Sequence, residues 1–264
     1  MALNIVIMAA GKGTRMKSAT PKVLHKLGGR ALLSHVLGAC EPLAAAARIV
    51  ITGHGAEQVE AAVASPALGF VRQMPQLGTG HAIQQAVPAL QGEGTTLILN
   101  GDVPLIQTST AKALIDACAG GALVLLTVDL ADPTGYGRII RNADDGGVLA
   151  IVEHKDATAE QRLIREGYSG MMAAPTGALK RWVAQLRNDN AQGEYYLTDI
   201  VAMAVAEGMP VLGIKAHNET EVLGVNDPLQ LADLERRFQR EQAERLMEAG
   251  VRLMDPARFD LRGT

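Results

Sequence analysis

The sequence predicts an α/β fold whose central sheet is mostly parallel. Up to residue 129, short apolar runs alternate with stretches of helical periodicity, a pattern typical of parallel strands covered by helices on both faces. The apolar run at residues 5–10 breaks into the glycine-containing segment 11–15, and a second run at residues 96–100 ends in Gly101 and Asp102. Sheets of this kind bind ligands at the carboxyl ends of their strands, so we expect both segments to lie at a ligand-binding edge.

The elements of this first part follow from hydrophobic periodicity and turn residues. Alternation and length predict strands at residues 5–10, 48–52, 70–73, 96–100 and 122–129. Helices are expected between them, at residues 32–43, 57–64, 80–90 and 108–119.

The pattern changes after residue 129. Paired strands are predicted at residues 138–141 and 148–153, followed by further elements at residues 159–165 (helix), 169–174 (strand), 179–186 (helix), 196–206 (helix) and 211–216 (strand). We expect this part to form a smaller antiparallel lobe that closes over the ligand edge. A long amphipathic helix follows, with Asp227 as its N-cap, Pro228 in its first turn and Gly250 at its end. One compact two-lobed domain is therefore expected in residues 1–227, with a C-terminal helix and linker in residues 228–264.

Positive charge is concentrated at the start of a chain that is weakly acidic overall. The 264 residues carry a net charge of −3, yet the first acidic residue is Glu41. Six cationic residues precede it: Lys12, Arg15, Lys17, Lys22, Lys26 and Arg30. A local field of this kind holds a small anion, whereas a nucleic acid partner would call for a generally basic surface. Aromatic residues make up only 3% of the chain, which also disfavours a base-stacking platform for single strands.

Other functional classes lack a signal in the sequence. No apolar run approaches the roughly 18 residues needed to cross a bilayer, and no secretory signal is evident. The two cysteines, Cys40 and Cys118, have no metal-like spacing and are expected to be buried thiols in a reducing compartment. The six histidines form no ligand pair, and no hydrolase motif is present. We therefore expect a cytoplasmic protein without a membrane or nucleic acid partner.

The segment from Gly11 to Arg15 has the chemistry of a phosphate-binding loop. Two glycines allow close approach of the backbone to a ligand, and successive N–H groups in such a turn attract an anion. The simpler interpretation is a strand followed by a tight turn, with solvated lysines. A dinucleotide fingerprint is excluded by Met16, which stands where a third glycine is required, and the spacing does not match a P-loop.

A longer pattern around this loop resembles a known family. Gly11, Gly13, Thr14 and Arg15, followed by Pro21-Lys22, match the signature of sugar-phosphate nucleotidylyltransferases. The blocks at residues 9–16 and 21–25 resemble the uridylyltransferase half of the bifunctional N-acetylglucosamine-1-phosphate uridylyltransferase/glucosamine-1-phosphate acetyltransferase family. The resemblance implies a Rossmann-like sheet of the nucleotide-diphospho-sugar transferase type. It also implies formation of UDP-N-acetylglucosamine and pyrophosphate from UTP and N-acetylglucosamine-1-phosphate, which feeds peptidoglycan and lipopolysaccharide precursor synthesis.

Asp102 is the strongest candidate metal ligand when the sequence pattern alone is considered. It follows an apolar strand near the phosphate loop, and Mg²⁺ prefers one or two protein oxygens together with phosphate oxygens and water. The alternative is a turn aspartate that caps the next element. The resemblance supports the metal role and adds Asn226, in Gly224-Val-Asn226, as a second Mg²⁺ ligand. Without the resemblance, Asn226 is typical of a helix cap before Asp227-Pro228.

The resemblance also implies the substrate-binding residues. Catalysis is assigned to Arg15 and Lys22. Nucleotide binding is assigned to Ala9, Ala10, Gly11, Lys12, Gly13, Gln73, Gly78 and Thr79. Sugar binding is assigned to Asn100, Gly101, Gly137, Glu153, Tyr168 and Asn226, with Glu194, Tyr196 and Thr198 as secondary candidates. From the residues alone, a glutamine amide can read a pyrimidine edge, and a carboxylate such as Glu153 can accept hydrogen bonds from sugar hydroxyls.

Two positions depart from the family pattern. Asn100 stands where the family usually has tyrosine, and Tyr168 stands where it usually has asparagine. These changes leave open a nucleotidylyltransferase for another sugar-1-phosphate, such as glucose-1-phosphate. The chain ends at Thr264 without the hexapeptide repeats of an acetyltransferase β-helix, so we expect no acetyltransfer and no trimer from these residues.

The residues disfavour two further functional classes. A non-catalytic sugar-nucleotide-binding module would not need Arg15, Lys22, Asp102 and Asn226 together. A nicotinamide-dependent oxidoreductase is opposed by Met16 and by the lack of an acidic residue about 20 positions after the loop.

Overall fold

A computed structural model of the chain describes residues 2–263. The strands are β1 (Ala2–Ala9), β2 (Lys26–Leu27), β3 (Arg30–Ala31), β4 (Ala47–Thr52), β5 (Gly69–Arg72), β6 (Gly94–Asn100), β7 (Leu123–Asp129), β8 (Gly137–Arg141), β9 (Val148–Val152), β10 (Glu166–Pro175) and β11 (Val211–Lys215). The helices are α1 (Leu32–Cys40), α2 (Ala56–Ala62), α3 (Thr79–Ala86), α4 (Thr108–Cys118), α5 (Ala159–Arg162), α6 (Thr176–Val183), α7 (Ile200–Ala206) and α8 (Pro228–Glu248).

The central sheet has the strand order β11-β7-β10-β6-β1-β4-β5. Its pairings are parallel except for those of β10, which runs antiparallel between β6 and β7. The β8–β9 hairpin joins this sheet through the start of β10, and β2 and β3 form a separate two-stranded sheet. The α/β class with a mainly parallel sheet is therefore confirmed.

The apolar runs form strands because both faces of the sheet are covered. Ile5, Val6 and Ile7 of β1 are all fully buried, as expected for a strand inside a parallel sheet. Alternate residues enter different cores: Val6 packs with residues of α3, α6 and α7, whereas Ile5 and Ile7 pack with residues of α1 and α4.

The later strands differ from the prediction in where they lie. The strand expected at residues 169–174 is the ten-residue β10, and it lies inside the central sheet rather than in a separate lobe. Its run Met171–Ala174 is fully buried, which explains a central position between two neighbours. β11 also joins the central sheet, parallel to β7, so among the strands predicted for the smaller lobe β8 and β9 alone lie outside the main strand order. The helix predicted at residues 159–165 is a single turn, α5.

The long C-terminal helix supports the glycine loop from behind. As predicted, Asp227 caps α8, and its side chain accepts a hydrogen bond from the Gln230 amide at 2.8 Å. Leu234 of α8 packs in a buried cluster with Met16, Leu27 and Val225. Met16, which stands where a dinucleotide fingerprint would need glycine, thus holds the loop in place by packing into this cluster.

Two expectations from composition can be compared with the structure. Cys40 and Cys118 are free and buried, as expected, and burial raises the pKa of the Cys40 thiol to about 12. Within residues 2–263, no helix combines the length and the apolar character that crossing a membrane would require.

Candidate functional site

The site lies at the carboxyl ends of β1 and β6. A cavity of about 290 Å³ opens there, beside the loop that follows β1. Its walls include ten of the residues proposed from the sequence: Ala9, Ala10, Gly11, Lys22, Gln73, Gly78, Thr79, Asn100, Asp102 and the secondary candidate Glu194. The predicted ligand edge is therefore a real concave surface.

The loop after β1 requires glycine at position 13. Gly13 has φ +60, and a Cβ at this position would lie 2.7 Å from Cβ of Lys22. A residue with a side chain would therefore be strained and would push Lys22 away. Lys12 and Arg15 project from this loop into solvent, and neither forms an ion pair with any residue in the described range. Both side chains remain available to a charged ligand.

Lys22 joins the loop to the ends of two other segments. Its Nζ donates to Asp102 Oδ2, in an ion pair, and to Asn226 Oδ1 at 3.1 Å. The backbone N–H of Val225 donates to the Asp102 carbonyl at 3.0 Å, which fixes the segment before Asn226 against the end of β6. A carboxylate oxygen and an amide oxygen therefore converge on one cationic group, although the residues are far apart in the chain.

The far end of this cavity is built around Gln73 and Gly78. The buried Gln73 side chain donates through Nε2 to the Gly78 carbonyl at 2.9 Å, and the same nitrogen lies 3.2 Å from His81 Nδ1. Gly78 has φ +105, and a Cβ there would lie 2.6 Å from the Tyr195 carbonyl oxygen. The segment around Tyr195 is held further by Thr79, whose Oγ1 accepts from the Leu197 amide at 3.0 Å. This end is thus rigid and closely packed.

A second cavity, of about 220 Å³, adjoins the first and shares Met8, Thr79 and Asn100 with it. Its walls contain Glu153, at the end of β9, together with Gly137 and Tyr168. Glu153 Oε1 accepts from the Thr198 hydroxyl at 3.0 Å.

Three titratable groups line this cavity, Tyr136, Glu153 and Tyr168, and burial raises the pKa of each. Burial raises the pKa of Glu153 above its ordinary value, the Thr198 hydrogen bond opposes this, and the nearby charge of Asp156 adds to it. Burial likewise raises the pKa of Tyr168 well above its ordinary value, with a further contribution from Glu153. Tyr168 is therefore a neutral phenol at physiological pH.

Some predicted residues lie outside the two cavity walls. Gly101 is buried at the end of β6, where its N–H donates to the Met8 carbonyl at 2.9 Å. Lys12, Gly13, Arg15 and Asn226 line neither cavity, although Lys22 contacts Asn226 directly.

The structure also adds residues to the site. Met8 borders both cavities, and Tyr136 lines the second. The position of Met8 at the carboxyl end of β1 was the available signal. Tyr136 lies in the turn before Gly137, where nothing in the spacing distinguished it.

Comparisons with known proteins identify the family of the chain. Residues 5–187 match the model of the MobA-like NTP transferase domain. The chain is 72% identical over 268 aligned positions to the Bifunctional protein GlmU of Methylibium petroleiphilum, with 99% of this chain and 58% of that protein covered. It is 63% identical over 265 positions to the Bifunctional protein GlmU of Paracidovorax citrulli, covering 99% of this chain and 56% of that protein. The chain thus spans little more than half the length of these relatives.

A solved structure supports the fold assignment. UDP-glucose pyrophosphorylase complexed with UDP-glucose superimposes with a TM-score of 0.71 at 14% identity, covering 91% of this chain and 100% of the other. At this identity, the likeness concerns the fold alone. The family match covers well over half of the chain, and the chain accordingly belongs to the family of MobA-like NTP transferase domains.

Proposed function

We propose that the chain is a uridylyltransferase that forms UDP-N-acetylglucosamine and pyrophosphate from UTP and N-acetylglucosamine-1-phosphate. The observation that carries this proposal is the pair of adjoining cavities, with Lys22 and Asp102 on the wall of the first and Asn100 shared by both. This arrangement suits a nucleotide in the first cavity and a sugar in the second, with their phosphates near Lys22. The high identity to relatives named Bifunctional protein GlmU supports the choice of substrates. In this proposal residues 1–227 form the uridylyltransferase domain, and residues 228–264 form a C-terminal helix and linker.

The uracil base is assigned to the end of the first cavity at Gln73 and Gly78. The amide nitrogen of Gln73 is already engaged by Gly78 and His81, which leaves its amide oxygen as the free acceptor. An acceptor at this place complements the N3–H donor of uracil. Gly78 and Thr79 allow the close approach of a flat base, and the backbone of Ala9 and Ala10 borders the same cavity.

Asp102 and Asn226 have the chemistry of a Mg²⁺ site. Their oxygens already converge on one cation, the ammonium of Lys22, and Mg²⁺ prefers such hard oxygen ligands with phosphate oxygens completing the set. The described residues contain no cluster of three or more acidic, histidine or cysteine side chains, so phosphate and water would supply the remaining ligands. When bound, Mg²⁺ would neutralise charge on the nucleotide and sugar phosphates.

The protein's part in the reaction is positioning and charge stabilisation. An oxygen of the sugar phosphate attacks the α-phosphorus of UTP in line, and pyrophosphate leaves. The N–H groups of the loop at residues 11–13, with Lys12 and Arg15, hold the triphosphate and the leaving pyrophosphate. Lys22 offsets the negative charge that develops at the α-phosphate. Glu153 accepts hydrogen bonds from sugar hydroxyls in the second cavity, beside Gly137.

The deciding experiment measures the release of pyrophosphate from UTP in the presence of Mg²⁺, with either N-acetylglucosamine-1-phosphate or glucose-1-phosphate as the second substrate. We expect release with the acetylated sugar. Release with glucose-1-phosphate alone would replace the sugar assignment and keep the reaction class. No release with either sugar phosphate, from protein shown to be folded, would contradict the proposed function and favour a binding module.

Gly78→Ala is expected to weaken both the fold and nucleotide binding. A Cβ at this position meets the Tyr195 carbonyl oxygen at 2.6 Å and Cβ of Glu194 at 2.9 Å, and its backbone region is reserved for glycine. We expect the free energy of unfolding to fall by about 2–3 kcal/mol and KM for UTP to rise about tenfold. Denaturant unfolding and initial rates measure the two effects.

Gly208→Ala is the control for this change. Gly208 also has positive φ, +71, but a Cβ there meets no atom within 4 Å. In Gly208→Ala, the free energy of unfolding should fall by only about 1 kcal/mol, and KM for UTP should be unchanged. Equal effects of the two substitutions would mean that contact with the Tyr195 segment is unimportant.

The raised pKa of Glu153 predicts a pH dependence of sugar binding. Protonation removes the carboxylate acceptor, so KM for the sugar phosphate should rise as pH falls through the raised pKa. In Glu153→Gln this KM should be high already at neutral pH and should lose that dependence. The substrate phosphate titrates identically in both proteins, so the difference between the two profiles reports on Glu153.

The same group links stability to pH. A carboxyl whose folded pKa lies above its ordinary value of 4.5 stabilises the fold fully below that value and loses this contribution as pH rises through the folded pKa. Glu153→Gln should therefore unfold with less pH dependence in that window, as measured by denaturant titration. If the free energy of unfolding varied with pH in the same way in the wild type and in Glu153→Gln, the pKa of Glu153 would not be raised.

A further inference from the structure

Strand β10 is irregular where it passes the second cavity. Its pairing with β7 places Tyr168 opposite Thr127 and Met172 opposite Leu125, so four residue steps of β10 span two steps of β7. Gly170, inside this bulge, has φ +85, and the Ser169 hydroxyl closes the bulge by donating to the Leu126 carbonyl at 2.8 Å. A bulge re-aims the neighbouring side chains, and here Tyr168 contributes to the cavity wall.

Asn100, on the neighbouring strand β6, contacts this bulge. A Cβ at Gly170 would overlap the Asn100 amide, and Asn100 Nδ2 lies 3.5 Å from the Ser169 carbonyl oxygen. Asn100 and Tyr168 also line the same cavity of about 220 Å³. A change in size at either position therefore alters the space available to the other.

The Tyr168 hydroxyl is buried and has no hydrogen-bond partner among the described residues. Buried hydroxyls in proteins are nearly always paired, so an unpaired one beside a cavity is a donor that a bound ligand can satisfy. A neutral sugar carries several acceptor oxygens. Glu153 on the same cavity accepts hydrogen bonds, so the two side chains would offer a sugar one donor and one acceptor.

We propose that Tyr168 and Asn100 act as one coupled pair that determines which sugar-1-phosphate the second cavity accepts. This inference rests on the proposed function. The phenol donates to an oxygen of the sugar, and the small amide at position 100 leaves room for the ring. The two departures from the family pattern then belong together: at these two positions this chain keeps one phenol and one amide but exchanges the strands that carry them.

The exchange makes a sharp prediction about single and double substitutions. In Asn100→Tyr, the new aromatic ring competes with the Tyr168 ring for space in one small cavity. In Tyr168→Asn, neither position 100 nor position 168 carries a phenol, so the proposed hydrogen-bond donor to the sugar is lost. Either single change should lower kcat/KM for N-acetylglucosamine-1-phosphate at least tenfold and alter its ratio to that for glucose-1-phosphate. Tyr168 does not line the first cavity, so KM for UTP should stay within twofold in Tyr168→Asn. The double variant Asn100→Tyr/Tyr168→Asn should return to within threefold of the wild type. If the loss of kcat/KM in the double variant equals the product of the losses in the two single variants, the two positions are independent and the proposed coupling is overturned.

A milder variant keeps the proposal testable if a single change unfolds the protein. Tyr168→Phe retains the ring and removes only the hydroxyl, so calorimetry should show about tenfold weaker binding of UDP-N-acetylglucosamine with unchanged binding of UTP. Unchanged binding of both would overturn the hydroxyl contact. If the wild-type chain is inactive with every sugar-1-phosphate, the proposed function is overturned as well. If the wild type is active but the losses of the two single variants multiply in the double variant, only the coupling of Tyr168 and Asn100 is overturned.

Discussion

Asp102→Asn is expected to lower kcat for pyrophosphate release about a thousandfold. The substitution keeps the size of the side chain and removes its charge, so a Mg²⁺ ligand and the counter-ion of Lys22 are lost together. A bound metal contributes several kcal/mol to stabilising charge in the transition state, and about 4 kcal/mol corresponds to three powers of ten in rate. The Asp102 and Lys22 side chains are only 22% and 14% exposed, so solvent screens their charges weakly.

The matched control is Asp116→Asn. Asp116 also pairs with a lysine, Lys112, at 2.6 Å, but these side chains are 61% and 63% exposed on α4. This substitution should leave kcat unchanged. The Mg²⁺ concentration for half-maximal rate should rise strongly in Asp102→Asn and stay constant in the control. An Asp102→Asn enzyme that kept a tenth of the wild-type kcat with the same Mg²⁺ dependence would contradict the metal role.

The sequence could predict the parts of the site that are local. The apolar run before Gly11 and the run before Asp102 identify buried strands, and parallel strands place their carboxyl ends on one edge. Periodicity, together with the turn residues that follow each strand, therefore predicted correctly that the glycine loop and Asp102 lie together.

Long-range contacts do not follow from periodicity or from turn residues. Asn226 lies 204 positions from Lys22, and no spacing rule joins them; only the family resemblance singled out Asn226. The place of β10 was missed for a related reason. An apolar run shows that a strand is buried, but not which strands flank it or in which direction it runs. The bulge at Gly170 and the contact with Asn100 depend on that placement and became visible only in the structure.

Lys22→Met is expected to slow turnover by a factor of one hundred or more while Mg²⁺ binds more tightly. Methionine keeps the aliphatic stem and removes the ammonium that offsets charge at the α-phosphate. Because this charge develops mainly in the transition state, the loss should appear in kcat with both substrates saturating. Asp102 Oδ2 and Asn226 Oδ1 would no longer accept hydrogen bonds from Lys22, so both oxygens become more available to the metal.

The opposite directions of these two effects separate a chemical role of Lys22 from a structural one. If Lys22 served mainly to hold Asp102 and Asn226 in place, its removal would weaken Mg²⁺ binding and lower the melting temperature together. Lys112→Met, in the exposed pair on α4, should change neither turnover nor Mg²⁺ affinity. Steady-state rates with saturating substrates and calorimetric titration with Mg²⁺ measure both quantities on the same protein. Turnover equal to that of the wild type would exclude charge stabilisation by Lys22 and would leave Arg15 and Lys12 as the cations that act on the triphosphate.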